Sequence, residues 1–134
     1  MKIKSYHDLI VWQKSIALVK LVYILTKRLP KEELIVLVSQ MRRAAISIPS
    51  NIAEGQARNS KKEFVRFLSI SRGSKAELES QLYICVELNY FKRDEINETL
   101  GLLREISKML SSLINSLSTD NLELSDHWPL TTDH

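Results

Sequence analysis

Little in this 134-residue chain bends or crosslinks it: it has three glycines, three prolines and a single cysteine, Cys85. One thiol closes no internal disulfide, so the fold needs no oxidising compartment and is expected in the cytoplasm. The shortage of glycine and proline argues against turn-rich β structure and for long helices. No apolar run approaches the roughly 18 residues of a membrane span, so no membrane partner is expected. Met1-Lys2-Ile3-Lys4 opens like a signal peptide, but His7, Asp8, Gln13 and Lys14 interrupt the apolar stretch that one requires. The length suits one domain, able to bury about two-thirds of its extended surface.

Ligand and nucleophile chemistry is equally sparse. His7, His127 and His134 sit in the terminal segments, and the paired Glu-x-x-His of di-metal bundles is missing. There is no glycine-rich phosphate loop and no serine elbow. Cys85 falls on the inner face of a predicted helix, which suits a small buried hydrophobe better than a nucleophile. No catalytic residue, metal ligand or cofactor is assigned. Binding, not enzyme activity, is the expectation.

What the chain does have is lopsided charge. Residues 1–75 hold 15 Lys and Arg against 5 Asp and Glu, and residues 76–134 hold 4 against 11. The halves, +10 and −7, recover the net +3. Such asymmetry marks either a polyanion-binding half or two halves that pair internally.

Apolar periodicity predicts four helices. The first spans about 8–29 with Asp8 as its cap. Leu9, Trp12, Ile16, Val19 and Tyr23 recur at helical spacing, and Ile10, Val11, Leu18, Leu21, Val22, Ile24 and Leu25 widen the stripe. A helix this apolar must be covered on more than one side, either within one bundle or by another subunit. After Pro30 the second helix, about 31–57, turns Leu34, Leu37, Val38, Met41, Ala45, Ile48 and Ile52 inward, with a kink at Pro49.

The third helix, about 61–89, opens with a capping box of Ser60 and Glu63. It buries Phe64, Phe67, Leu68, Leu78, Leu82 and Val86 and ends at Asn89, a left-handed terminator. Ser71-Arg72-Gly73-Ser74 forms a small-residue patch within it. Glycine there costs about 1 kcal/mol against alanine, which a closely approaching backbone would justify. The fourth helix, about 94–117, carries a heptad of Ile96, Thr99, Leu103, Ile106, Leu110, Leu113 and Leu117. Residues 1–118 then form one all-α, antiparallel up-down-up-down four-helix bundle, because short loops force neighbours antiparallel. Residues 119–134 read as a flexible acidic tail.

The polar stripe of the second helix, Gln40, Arg43, Ser47, Ser50 or Asn51, Glu54 and Arg58, reads as its solvated side. Around the second-to-third turn, however, Arg58, Lys61 and Lys62 crowd together, with Arg66 one turn on. Free amides at the helix start also attract phosphate, and Lys2 and Lys4 should reach the same end. No reading motif or interleaved aromatics accompany these residues. Contact with RNA or DNA would be backbone-directed and indifferent to sequence. The tail's carboxylates, brought to that end by the topology, would compete with phosphate locally. The competing reading is an oligomeric scaffold for a protein partner.

Several segments carry a resemblance. Asp8 to Gln13 (DLIVWQ), Gln40 to Ala45 (QMRRAA) and Ser47 to Gly55 (SIPSNIAEG) continue through Ser60-Lys61-Lys62-Glu63-Phe64, Phe67-Leu68 and Gly73-Ser74. Over about 5–117 the chain resembles the bacterial four-helix-bundle proteins encoded within intervening sequences of 23S ribosomal RNA genes. The resemblance implies a ring-like homo-oligomer, a pentamer. It also implies kinship with the accessory subunit of diversity-generating retroelements, a basic pentamer that binds nucleic acid and a reverse transcriptase. Carried onto this sequence, it favours Arg42, Arg43, Arg58 and Arg66 as contact positions. Arg42 and Arg43 have a second role open to them, as salt-bridge partners of Glu54 or of an acid on another subunit. Asn51 and Glu54 are expected to be structural, satisfying backbone groups near Pro49. Asn89 stands where the family would have glycine, and Lys92-Arg93 replace a better helix cap.

Overall fold

Pro30 and two left-handed asparagines, Asn59 (φ 58°) and Asn89 (φ 65°), divide the chain into four helical stretches. The computed structural model of the chain describes Ser5, Tyr6 and residues 9–124, with side chains through Ser118. Helix α1 is Ile10–Thr26, α2 Ser39–Ala57, α3 Lys61–Glu87 and α4 Asn97–Leu124. A 3-10 turn (Lys31–Glu33) and a π-helical turn (Leu34–Val38) lead into α2, and a second 3-10 turn (Arg93–Ile96) leads into α4. No strand occurs among the described residues.

Specific contacts fix the directions. The Met41 sulfur lies 3.7 Å from that of Cys85, Ser71 Oγ donates to the Ile48 carbonyl at 2.9 Å, and Gly55 abuts Phe67. Residue numbers rise along α2 as they fall along α3, so the two helices are antiparallel. The pairs Lys14–Glu105 and Arg28–Glu95 give the same answer for α1 and α4. Arg42 of α2 reaches Thr26 at the end of α1, while Trp12 and Ile16 share a groove with Pro49 and Ser50, so α1 and α2 are antiparallel as well and the order is up-down-up-down. Leu18, Met41, Ile48, Ile52, Leu68, Leu78, Leu82, Ile96 and, from α4, Leu103, Ile106 and Leu110 fill the centre, while Leu117 is only partly buried.

Several helix ends follow the sequence logic. The Tyr90 N–H reaches the Cys85 carbonyl (2.9 Å) and that of Asn89 reaches Val86 (2.9 Å). This is a Schellman closure with asparagine in the left-handed position. The Lys92-Arg93 turn is held by Glu95, whose carboxylate accepts from the Lys92 N–H (2.7 Å) and from Arg28 (2.6 Å). Asp8 lies outside the described residues. The described start of α1 has Leu9 as N-cap, without a side-chain cap.

Other details differ from expectation. Leu34 is mostly exposed, because the 3-10 and π turns shift the helical phase and rotate it outward. The inner stripe of α1 is Val11, Leu18, Val22 and Leu25. Trp12, Val19 and Tyr23 are only half-buried, and Ile16 faces out. Helix α1 stops at Thr26, and Arg28 and Leu29 continue it as 3-10-type turns before Pro30. Helix α4 runs on to Leu124, since no glycine or proline follows Leu117 before that point. Residues 125–134, most of the expected acidic tail, lie outside the described residues.

The close approach is not at Gly73, where an added Cβ would meet nothing within 4 Å. It is at Gly55, where a Cβ would stand 2.6 Å from Phe67 Cβ and 3.1 Å from the Phe64 ring. The two glycines should therefore respond oppositely to alanine. Gly73→Ala should stabilise the fold by about 1 kcal/mol through helix propensity and unfolded-state entropy. Gly55→Ala should destabilise it by about 1–3 kcal/mol through overpacking. Denaturant titration of both variants checks the signs.

Glu95 supplies a pH test. Its carboxyl is held below the ordinary value of 4.5, first by the Lys92 backbone N–H and then by Arg28. A depressed folded pKa contributes stability above the unfolded value, and this is lost as pH falls through the folded one. Glu95→Gln should lower the melting temperature at pH 7 and change it far less at pH 3, as read by circular dichroism.

Candidate nucleic-acid interface

The turn from α2 to α3 is a short reversal. Arg58 closes α2, Asn59 takes the left-handed step, and Ser60 stands extended as N-cap. Ser60 Oγ accepts the Glu63 N–H at 3.3 Å. Only this half of the expected capping box forms. The Glu63 carboxylate turns instead to Arg66 (3.1 Å), and that bond holds its carboxyl below the usual range.

Phe67 organises the basic side chains. Its ring is mostly buried, yet the guanidiniums of Arg58 and Arg66 stand over it, 5.1 and 4.4 Å from the centroid. Cation–π attraction orients both. Arg58 also pairs with Glu54 (2.8 Å), one turn back on α2. Lys61 lines a shallow hollow of about 320 Å³ with Gly55, Asn59, Ser60, Phe64 and Leu117, while Lys62 is exposed. Leu117 brings α4 to this same end. Four cations against Glu54 and Glu63 leave the turn at +2. Exposed pairs of this kind contribute at most about 1 kcal/mol, so a phosphate oxygen can replace a carboxylate at small cost. Lys2 and Lys4 lie outside the described residues.

Arg42 and Arg43 are elsewhere. Arg42 precedes Arg58 by sixteen residues, roughly 24 Å along a helix. It is half-buried, donates from Nε to Thr26 Oγ1 (2.9 Å), and lies 4.1 Å over the Tyr23 ring. Thr26 in turn donates to the Val22 carbonyl (2.8 Å). Arg43 is exposed. Glu54 belongs to Arg58, not to these two. The six residues predicted as contacts thus form one cluster of four and a separate pair.

A second basic group escaped the sequence reading. At the opposite end Arg28, Lys92 and Arg93 border a hollow of about 620 Å³ with Tyr90 and Phe91. Arg28 lies over Phe91 and Arg93 over Tyr83. Lys92-Arg93 was the available signal, but it reads as a poor helix cap until the fold brings Arg28 beside it. Acids occupy this end as well. Arg28 binds Glu95, and Glu33 accepts from Tyr90 Oη (2.7 Å), which pushes the phenol up to about 12.

The most specific segment of the sequence, Ser47 to Gly55, has packing work. Asn51 Nδ2 donates to the Ser47 carbonyl (2.8 Å) and to Ser47 Oγ (2.9 Å), whereas the carbonyl that Pro49 leaves without its helical donor is that of Ala45. Ser47 Oγ meets Ser74 Oγ at 2.8 Å. Pro49 sits inside α2 with helix on both sides.

Neither a reactive thiol nor a metal-ligand cluster assembles among the described residues. Burial pushes the Cys85 thiol up to about 11, with Glu33 adding to it, so no thiolate is available near neutral pH. Among the described residues no group of His, Cys, Asp and Glu could hold a metal ion. Among them also, no helix is long and apolar enough to cross a membrane.

Comparison with known proteins agrees with the bundle. No curated protein matches the chain. A crystal structure from Bacteroides thetaiotaomicron, described as a protein with unknown function from the S23 ribosomal protein family, is similar with a TM-score of 0.72. Identity is 28%, covering 78% of this chain and 97% of that one. The family model for the 23S rRNA-intervening sequence protein matches residues 7–112, most of the bundle, and the chain belongs to that family.

Proposed function

We propose that the protein is a non-catalytic, homo-oligomeric accessory factor that binds the phosphate backbone of RNA or DNA through the α2–α3 turn. The observation that carries this reading is the convergence of Arg58, Lys61, Lys62 and Arg66 around one turn, with two of them seated on Phe67. Planar guanidiniums held in place suit the oxygens of phosphate. The N-terminal dipole of α3, a 27-residue helix, adds to the field. No recognised base-reading motif accompanies these residues, so the binding proposed is backbone-directed and indifferent to sequence.

Oligomerisation supports the same reading. The bundle leaves Ile10 and Ile24 of α1 more than half exposed, so packing within one chain does not cover the excess apolar surface of that helix. Repeating a site of +2 around an oligomer multiplies a weak phosphate contact into useful avidity.

Charge reversal at Arg58, Lys61, Lys62 and Arg66 should weaken binding to unrelated sequences alike. It should lower the slope of log affinity against log salt by about 0.9 per lost contact on duplex, or about 0.7 on a single strand. Helicity should survive, because all four lie at the surface end of the bundle. Gel shifts with structured RNA and duplex DNA at two salt concentrations read both effects. Unchanged affinity and slope would remove this turn from the binding surface. No binding by the parent would leave a protein-binding scaffold as the function.

A further inference from the structure

Beside the basic cluster of the α2–α3 turn lies a surface of different character. The hollow of about 320 Å³ there has an apolar floor, formed by Gly55, Phe64 and Leu117. Its rim is polar and carries no acid: Gln56, Asn59, Ser60 and Lys61. Hollow and cluster share a wall. A Cβ on Gly55 would meet both Phe67, which seats Arg58 and Arg66, and the ring of Phe64, which lines the hollow. Lys61 belongs to both, and Arg58 directly precedes Asn59 in the chain.

This volume is at the small end of sites for organic ligands, roughly 300–1,000 Å³. It suits one planar ring system and not a stacked pair. An apolar floor under a polar rim matches a nucleobase, whose faces stack and whose edges carry donors and acceptors. The side-chain amides of Gln56 and Asn59 each offer a donor and an acceptor, so they can meet the edge of any base. Inorganic phosphate alone would leave the floor in water, and an apolar ligand would leave the adjoining cations unused. The larger hollow at the opposite end offers no such match, because Glu95 occupies Arg28 and Glu33 stands at Tyr90.

We infer that the α2–α3 turn takes a single-stranded segment of RNA or DNA, one base of which lies in the hollow while adjoining phosphates meet Arg58, Lys61, Lys62 and Arg66. The inference rests on the phosphate site of the proposed function and adds to it a seat for the base. In a duplex the bases are paired and stacked inside, so one would have to be flipped out to reach the hollow, at the expense of pairing and stacking. A single strand, a loop or a bulge presents its bases already splayed. Contact with an aromatic wall tolerates any base. The turn therefore selects strandedness and not sequence.

Ligands of one length separate base from phosphate: an unstructured single strand, its duplex, and a strand of abasic sites on the same backbone. Fluorescence anisotropy with the full chain, at two salt concentrations, reads each affinity. The parent should hold the ordinary strand about tenfold tighter than the abasic one, with the same salt slope for both, because their phosphates are alike. At the higher salt it should also hold that strand tighter than the duplex. Gln56→Trp and Leu117→Trp fill the hollow from α2 and from α4 without touching a charge. Each should bind the duplex and the abasic strand as the parent does, which reports an intact fold, and lose the advantage of the ordinary strand. A parent that binds ordinary and abasic strands alike would overturn the base seat and leave the phosphate site standing. A parent that prefers the duplex at both salts would overturn the choice of single strands. An advantage that survives in a filled variant would place the base elsewhere and overturn the hollow. A parent that binds none of the three would remove the phosphate site, and this inference with it.

Discussion

Helix α2 can lie against α3 only because residue 55 has no side chain. With Phe67 Cβ 2.6 Å from where a Gly55 Cβ would stand, no other residue leaves the pair at this separation. From that point the seam continues down the helices as hydrogen bonds, through Ser71 to the Ile48 carbonyl and Ser47 to Ser74, until the two sulfurs of Met41 and Cys85 touch. The seam sets where Phe67 sits, and Phe67 sets where Arg58 and Arg66 sit. The candidate site is therefore an outcrop of the core. Its position depends on a glycine near the end of one helix and an aromatic ring in the second turn of the next.

Much of this was legible in the sequence, for reasons specific to each element. The α4 heptad from Thr99 to Leu113 lies buried as its spacing requires, since one continuous helix keeps its phase. Asn89 reads as a terminator because asparagine tolerates the left-handed region at low cost. The four-residue basic cluster follows from local order, as Arg58, Lys61, Lys62 and Arg66 share one turn. Phase was lost where the backbone changed its period. Leu34 fits an α-helical stripe with Leu37 and Met41, yet the π turn moves it into water, and nothing in KEELIVLV announces that change. Gly73 was misread for a different reason. Its cost in a helix is visible in sequence, whereas the emptiness around it depends on the direction its face takes in the bundle.

Long-range partners were the least legible feature. That Arg42 lies on Tyr23 and Thr26, and that Glu95 bridges Lys92 to Arg28, requires knowing which helix ends meet. The segment Ser47 to Gly55, the strongest marker of family, has packing roles: Ser47 bonds Asn51 and Ser74, and Gly55 admits Phe67. A motif that identifies a fold need not mark its ligand site. The basic turn beside it is a separate feature, held in place by the same seam.

Phe67 has a consequence for how tightly a site this small can hold anything. An arginine on a bare surface samples many rotamers, and fixing it against a ligand costs up to about 2 kcal/mol of side-chain entropy. Arg58 and Arg66 rest on a buried ring, with Glu54 and Glu63 beside them, and so much of their freedom is already gone before any ligand arrives. What would otherwise be lost on binding has been lost on folding. Two cations seated in this way can act as a rigid pair, and their spacing then filters for oxygens set apart by the matching distance.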